Sequence, residues 1–431
     1  MEMIKLPVNL GVKIVEILRK KGIEPRKETD GAFKGSLSLE FTQEELDSIT
    51  ELNIQNPSFN CLDGIEYLHN LKSLNISTIG DTAYQKEVAS ITDKDIMKIG
   101  KLTSLTSLSI NNQSRISWVC LDNLVNLEEL EITRNSFIEE ISGLKKLHKL
   151  KDFAEYGNKN LFMIDDINET IKNNDLEIFE VDVLHFPEIC QSKNKLTNMI
   201  NCDFTETFSR KTISYTYYQL LNFHNKCSLI AEQALNFSND KRAQIIFVEK
   251  YLAENIKYDY LGLDSINRTY SDGENTRGKK GGTNSAYNGI MFGAAVCEGY
   301  TRSMQYILKL MNIKTKNVRC ISGSNKISIN ESYHNQIVLP DDGYHSIIRI
   351  DDQNSIYYCD PCWDSCLWHE GNTTLPYCLL TKEEISKDHT LSFEEDEVIY
   401  NIKYPRNYVK NTLDYIRINS LSETTNNHVI K

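Results

Sequence analysis

The feature that most constrains this chain is a phrase repeated along its first half: a leucine-like residue, two variable positions, then an apolar, variable, apolar triplet. The copies read ITELNI from Ile49, LKSLNI from Leu71, LTSLSI from Leu105, LEELEI from Leu127, a degraded LKDFAE from Leu150 and LEIFEV from Leu176. Their spacings are 22, 34, 22, 23 and 26 residues. A unit this short cannot enclose a core alone, so each copy must supply one strand and a returning segment and stack on its neighbours. Alternation within the triplet sends Leu52 and Ile54, Leu74 and Ile76, Leu108 and Ile110, and Leu130 and Ile132 into one continuous core. The 34-residue step is an ordinary period with a polar insertion, Gly80 to Lys94, expected to protrude as a loop.

A period in the low twenties with an L-x-x-L-x-L pattern is the mark of leucine-rich repeats. The segments between strands, such as CLDGIEYLHN and EISGLKKLHK, resemble the repeats of bacterial internalin-like proteins. The repeat domain is expected over 49–195, behind an N-terminal helical cap over 1–48. In that cap TQEE from Thr42 is a capping box, and the amphipathic stretch from Val8 to Lys20 covers the open end of the stack. The outward strand positions form a concave surface suited to a protein partner, a structural spacer being the alternative.

At 431 residues the chain has room for a second domain. A formal charge of −12 disfavours nucleic acid or an anionic membrane as partner, since either needs a coherent basic surface. No apolar run is long enough to span a bilayer. Pro7, Lys13 and Glu16 interrupt what would have to be a signal peptide's apolar stretch, so the expected location is the cytoplasm, or outside by a leaderless route. Eleven cysteines, an odd number, without a sign of an oxidising compartment read as reduced thiols.

After Leu176 the period is lost, and from Ser209 to about Lys257 the spacing becomes helical. A polar loop follows from Leu261 to Thr283. The stretch from Cys297 to Met311 is amphipathic, with Met304, Ile307, Leu308 and Met311 on one face, which sets Cys297 in the first turn of a helix. Free amides and the helix dipole favour a thiolate at such a place. Downstream, NVRCISG, NQIVL, HSIIRI and SIYYCD alternate as strands separated by turn-like DDG and DDQNS. Helix followed by antiparallel sheet is the layout that lets a papain-like enzyme bring an imidazole to a thiol across a cleft.

The segment AVCEGYTRSMQYILKLMNI resembles the nucleophile motif of the bacterial transglutaminase-like superfamily, and HSIIRIDDQNSIYYCDPCWD resembles its second block. LPYCLLTKEEISKDHT, from Leu375 to Thr390, is similar to the segment that follows. The resemblance covers roughly 240–395. It implies an α+β transglutaminase-like, papain-like domain over 196–405, placed after an α/β solenoid and followed by a tail over 406–431. It also implies Cys297 as nucleophile, His345 as base and Asp360, fifteen residues on, as the acid that orients the imidazole. Where the family has tryptophan and asparagine after the histidine, this chain has Ile347 and Ile348. His334 is the rival base. Tyr287 or Asn284 could supply an oxyanion donor beside the Cys297 amide.

The spacing of Cys359, Cys362, Cys366 and His369 superficially suits zinc, but strand alternation points Cys359 away from Asp360, and packing thiols are the preferred reading. No metal or cofactor is expected. The implied activity is thiol-dependent acyl transfer on a peptide or protein amide, as protease, deamidase or transglutaminase, with the repeats recruiting a protein partner. The alternative is a binding protein in which the thiol fold has lost its chemistry.

Overall fold

The structure is a computed structural model and describes residues 3–24, 38–58, 61–79, 89–199, 201–208, 211–260, 282–322, 344–352, 355–391 and 409–416. It divides into two units, Met1–Tyr217 and Tyr218–Lys431.

In the first unit the repeated triplets are the strands expected: β3 (Glu51–Gln55), β4 (Ser73–Ser77), β5 (Ser107–Asn111), β6 (Glu129–Thr133), β7 (Asp152–Tyr156) and β8 (Ile178–Asp182). They pair in parallel and in register, so Leu52, Leu74, Leu108, Leu130, Phe153 and Phe179 form one row. Ile54, Ile76, Ile110, Ile132, Glu155 and Val181 form the next. Every aliphatic or aromatic member of both rows is buried. Just after four of the six strands the chain turns through a left-handed residue, Asn56, Asn112, Arg134 and Gly157 at φ 52°, 58°, 58° and 72°. One residue further on, a ladder of buried amides satisfies the turned backbone. Gln113 N–H donates to Asn135 Oδ1 and Asn135 N–H to Asn158 Oδ1, both at 2.8 Å. The Asn135 and Asn158 side-chain amides donate to the carbonyls of Ile110 and Ile132 at 3.0 and 2.7 Å.

The degraded copy is degraded for a visible reason. Glu155 occupies an aliphatic position fully buried, and it accepts from Asn158 Nδ2 at 2.8 Å and from the Asp182 N–H at 3.3 Å. Burial pushes its carboxyl up to about 6, against the pull of His185, 3.8 Å away.

Three expectations about this unit need correction. The boundary lies at 217/218, not 195/196: β9 (Asn201–Phe208) continues the sheet in parallel with β8, and β10 (Lys211–Tyr215) closes it antiparallel. Residues 212–215 alternate Thr, Ile, Ser, Tyr and belong to a strand, although the wider stretch reads as helical. Tyr217, Phe204 and Phe186 stack over this end, with ring centroids 5.4 to 6.4 Å apart. The N-terminal segment is not purely helical. It pairs β1 (Ile4–Pro7) with β2 (Ser38–Phe41) beside α1 (Val8–Lys20) and α2 (Gln43–Asp47), because Leu6, Leu39 and Phe41 alternate inward. Thr42 and Glu45 do form the capping box. In the insertion, residues 80–88 lie outside the described residues. Ser90 and Ile91 are buried rather than protruding, and Thr92 caps α3 (Asp93–Ile99).

The second unit has two long helices, α4 (Tyr217–Phe237) and α5 (Lys241–Asn255), then β11 (Lys257–Tyr258), α6 (Ala286–Phe292) and β12 (Ala294–Ala295). Next comes α7 (Cys297–Leu310), buried along its length from Gly299 to Leu308. The sheet runs β15-β14-β13-β16 and is antiparallel throughout, from β13 (Thr315–Ser322), β14 (Tyr344–Asp352), β15 (Ser355–Cys359) and β16 (His389–Leu391). Ile347 and Ile348, the departures from the family pattern, are both fully buried, so that flank of β14 is core. α8 (Pro361–His369) and α9 (Lys382–Ile385) complete the unit. Residues 261–281 of the expected loop from Leu261 to Thr283, and the strand NQIVL, lie outside the described residues. Within the expected tail, residues 409–416 form a helix that buries Val409, Leu413 and Ile416. No helix among the described residues is long and apolar enough to cross a membrane.

Candidate active site

Cys297 is the first residue of α7, after an extended Val296. Its amide therefore lies in the helix's first turn, where N–H groups have no intrahelical acceptor. Helix and preceding strand meet closely. A Cβ on Gly299 would stand 2.6 Å from the Thr283 carbonyl oxygen and 2.9 Å from Ala295 Cβ, so the glycine of the C-x-G-Y phrase is required by contact. Cys297 itself is half-buried.

His345 sits on β14, with Cys320 of β13 as its cross-strand partner. Thr301 Oγ1 lies 3.0 Å from the Cys297 carbonyl and 3.1 Å from that of Ser346, and so ties the first turn of α7 to the strand beside His345. The Cys297 thiol is near enough to the imidazole to add to the rise of its pKa. Its Nε2 is 2.7 Å from Asp360 Oδ2. With Nε2 committed to the carboxylate, Nδ1 is the nitrogen left for the sulfur. The structure thus brings Cys297, His345 and Asp360 together. Asp360, expected on a strand, is instead the N-cap of α8: Oδ1 accepts from the amides of Cys362 and Trp363, each at 3.1 Å. The carboxylate is fixed by a helix start as well as by an imidazole.

Burial by itself would strip the proton from His345, yet the Asp360 charge and hydrogen bond, with Cys297 adding to them, push it up to about 10. Burial opposes Asp360 ionisation too, but the charge and hydrogen bond of His345, joined by His389, hold the carboxyl well below the usual carboxylate range. The sequence did not single out His389. Its Nε2 is 3.1 Å from the same Asp360 Oδ2, and it is 1% exposed. Its signal was present in the segment from Leu375 to Thr390, just past the Thr381–Glu384 capping box. Trp363 covers both imidazoles, with its ring 5.7 Å from His345 and 4.4 Å from His389.

His345, Asp360 and His389 stand near enough together to suggest a metal cluster. Both Nε2 atoms, however, touch one carboxylate oxygen at hydrogen-bond distance, which is the geometry of two donors on an acceptor. Ligands of a cation surround the ion instead.

Of the other sequence candidates, Tyr287 turns into an aromatic cluster with Phe223 and Phe292, at 5.9 and 6.0 Å. Asn284 lies in the segment that packs against Gly299, and its buried Oδ1 has no hydrogen-bond partner among the described residues. His334 lies outside the described residues. A further group, missed in the sequence, is Tyr258. β11 pairs Tyr258 with Ala295, two residues before the nucleophile. Burial drives its phenol well above the ordinary tyrosine value, with the neighbouring thiols of Cys362, Cys297 and Cys366 adding to the shift. It remains a hydrogen-bond donor at neutral pH.

No protein-family profile matches the sequence, and no curated protein matches it. Among solved structures it is similar to an internalin (inlF) of Listeria monocytogenes, at 22% identity and a TM-score of 0.25, over 41% of this chain and 49% of that one. An internalin C2 of the same organism is similar at 19% identity and a TM-score of 0.23, over 41% and 84%. A TGase is similar at 11% identity and a TM-score of 0.25, over 51% and 46%. The chain spans about half the length of the first internalin. These likenesses are partial. The leucine-rich-repeat arrangement of the first unit rests on its own strand register.

Proposed function

We propose that the second unit is a thiol-dependent acyl-transfer enzyme acting on a peptide or protein amide, with water as the acceptor. The observation that carries this reading is the position of His345, near the Cys297 thiol on one side and hydrogen-bonded to Asp360 on the other. Cys297 Sγ attacks the amide carbonyl, and the His345 imidazolium gives its proton to the departing amine. Water then attacks the thioester, His345 takes a proton from it, and the acid leaves as the thiol returns. Asp360 keeps the ring oriented and stabilises its charged form each time it arises. The Cys297 amide and the Tyr258 phenol are the donors for the oxyanion.

The first unit recruits the protein partner in this reading. Along the middle outward row of its sheet stand Asn75, Ser109, Glu131, Ala154, Glu180 and Asp203. The row grows acidic toward its end and suits a partner with a basic face.

A thiol-reactive acyl probe tests the enzyme reading. Cys297 of the native chain should be labelled selectively over the ten other cysteines, and labelling should collapse in Cys297→Ala and His345→Ala. Equal labelling of native and Cys297→Ala protein would leave a binding protein in place of an enzyme.

A further inference from the structure

On the far side of β15 from the thiol site lies a second cluster. Glu249 of α5, Cys359 at the end of β15 and Cys378 offer a carboxylate oxygen and two sulfurs, all within 4.8 Å of one another. All three side chains are fully buried, as is Asp364 of α8, whose carboxyl lies against that of Glu249. Neither Glu249 oxygen receives an N–H or O–H donor among the described residues, nor does Asp364 Oδ2. No lysine, arginine or histidine among those residues pairs with Glu249. Two converging carboxyls with no cation beside them, and only each other and two thiols within reach, are costly in an apolar interior. The second-layer contacts are those that support metal ligands: the Leu379 N–H donates to Cys359 Sγ at 3.2 Å, and the Tyr377 N–H to Asp364 Oδ1 at 2.9 Å.

We infer that Glu249, Cys359 and Cys378, with Asp364 behind them, form a structural site for a divalent cation of the zinc class. Two sulfurs select a borderline-soft ion over calcium or magnesium. Bond lengths of about 2.3 Å to sulfur and about 2.0–2.2 Å to oxygen place tetrahedral ligands roughly 3.5–3.8 Å apart, so the cluster needs to close on the ion by no more than about an ångström. Binding releases a proton from each thiol, and the two thiolates balance the ion's charge. Glu249 coordinates through its carboxylate, with the Asp364 carboxyl beside it. The ion joins α5, β15, α8 and the turn holding Cys378, and it grips the chain on both sides of Asp360. This inference does not depend on the catalytic reading, and its test reads the metal alone.

The full chain, expressed with zinc and purified without chelator, should carry about one zinc per chain. Exchange with cobalt(II) should produce a thiolate-to-metal charge-transfer absorption and the visible bands of a tetrahedral ion. Cys359→Ser and Cys378→Ser should lose ion and bands together, whereas Cys297→Ala and His389→Ala keep both. If the serine variants do not fold, the cobalt spectrum of the native chain still decides. Absence of bands with both thiols reduced overturns the site in favour of proton-sharing acids. A mass lower by two hydrogens that reductant restores, mapped to Cys359 and Cys378, overturns it in favour of a disulfide. Loss of the ion in Cys297→Ala overturns it by moving the metal to the reactive thiol.

Discussion

Replacing Asp360 by asparagine separates the two jobs of this side chain. The asparagine oxygen can stay where Oδ1 is and keep accepting the amides of Cys362 and Trp363. The amide nitrogen then replaces Oδ2, which now takes His345 at 2.7 Å and His389 at 3.1 Å. Both imidazoles lose a charged acceptor and face a donor. Breaking a buried ion pair costs about 3–5 kcal/mol, and because the cap, worth about 1 kcal/mol, survives, a loss near the lower figure is expected. For a unit of this size that is a fall of about 6–12 °C in the second unit's melting temperature.

The loss should depend on pH with a definite sign. His345 has a folded-state pKa of about 10 against 6.5 for the free side chain. The stabilisation from its bound proton is therefore fully present below pH 6.5 and disappears as pH rises through about 10. Scanning calorimetry of both proteins across this range should show the gap widest near neutrality and narrow at the alkaline end. The Asp360→Asn variant should also react with iodoacetamide at Cys297 more slowly, by about two to four orders of magnitude, as when a triad histidine is left in the wrong tautomer. A gap that stays constant with pH, or unchanged Cys297 reactivity, would refute the ion-pair argument.

Three further substitutions probe the same structure. Thr301→Val removes the hydroxyl shared between the Cys297 and Ser346 carbonyls; stability should fall by about 1 kcal/mol, while Cys297 alkylation slows about tenfold as helix and strand lose register. His389→Ala leaves Asp360 Oδ2 with one imidazole and should cost about 1–3 kcal/mol, with His389→Gln restoring much of both stability and Cys297 reactivity, as thermal melts and labelling rates would show. Asn135→Ala strips partners from the Gln113 amide and the Ile110 carbonyl and should destabilise the first unit by about 2–4 kcal/mol in urea unfolding.

The repeat array was legible because its information is periodic. Leu74, Leu108 and Leu130 declare their neighbours by recurring, and parallel in-register pairing is the arrangement that buries them all. The two ends escaped because closing a stack breaks the period. Residues 211–215 form an antiparallel edge that no repeat announces, and their alternation is short enough to be lost beside the helical spacing of α4. Glu155 looked like decay of the repeat, yet the Asn158 amide and the Asp182 N–H satisfy it from two different turns, a contact visible only once the turns are stacked.

The site was legible to a different depth. Cys297 could be set at a helix start from its amphipathic stretch, whereas His345 and Asp360 came from the resemblance of their segment to the transglutaminase-like second block. Neither route singled out His389 or Tyr258. One arrives from β16 across the sheet, the other from a two-residue strand before the long polar loop, and neither has a spacing to Cys297 that means anything along the chain. The same reasoning explains the second cluster. Asp360 lies past the end of the strand, where alternation no longer applies, and only the fold shows that Cys359 lies beside Glu249, which is 110 residues earlier and within a helix whose pattern looks like an ordinary solvated face. A buried carboxylate is invisible in a sequence because its desolvation is set by what packs over it. Adjacent residues of β15 and its end thus serve two polar centres on opposite faces, and tightening one constrains the placement of Asp360 in the other.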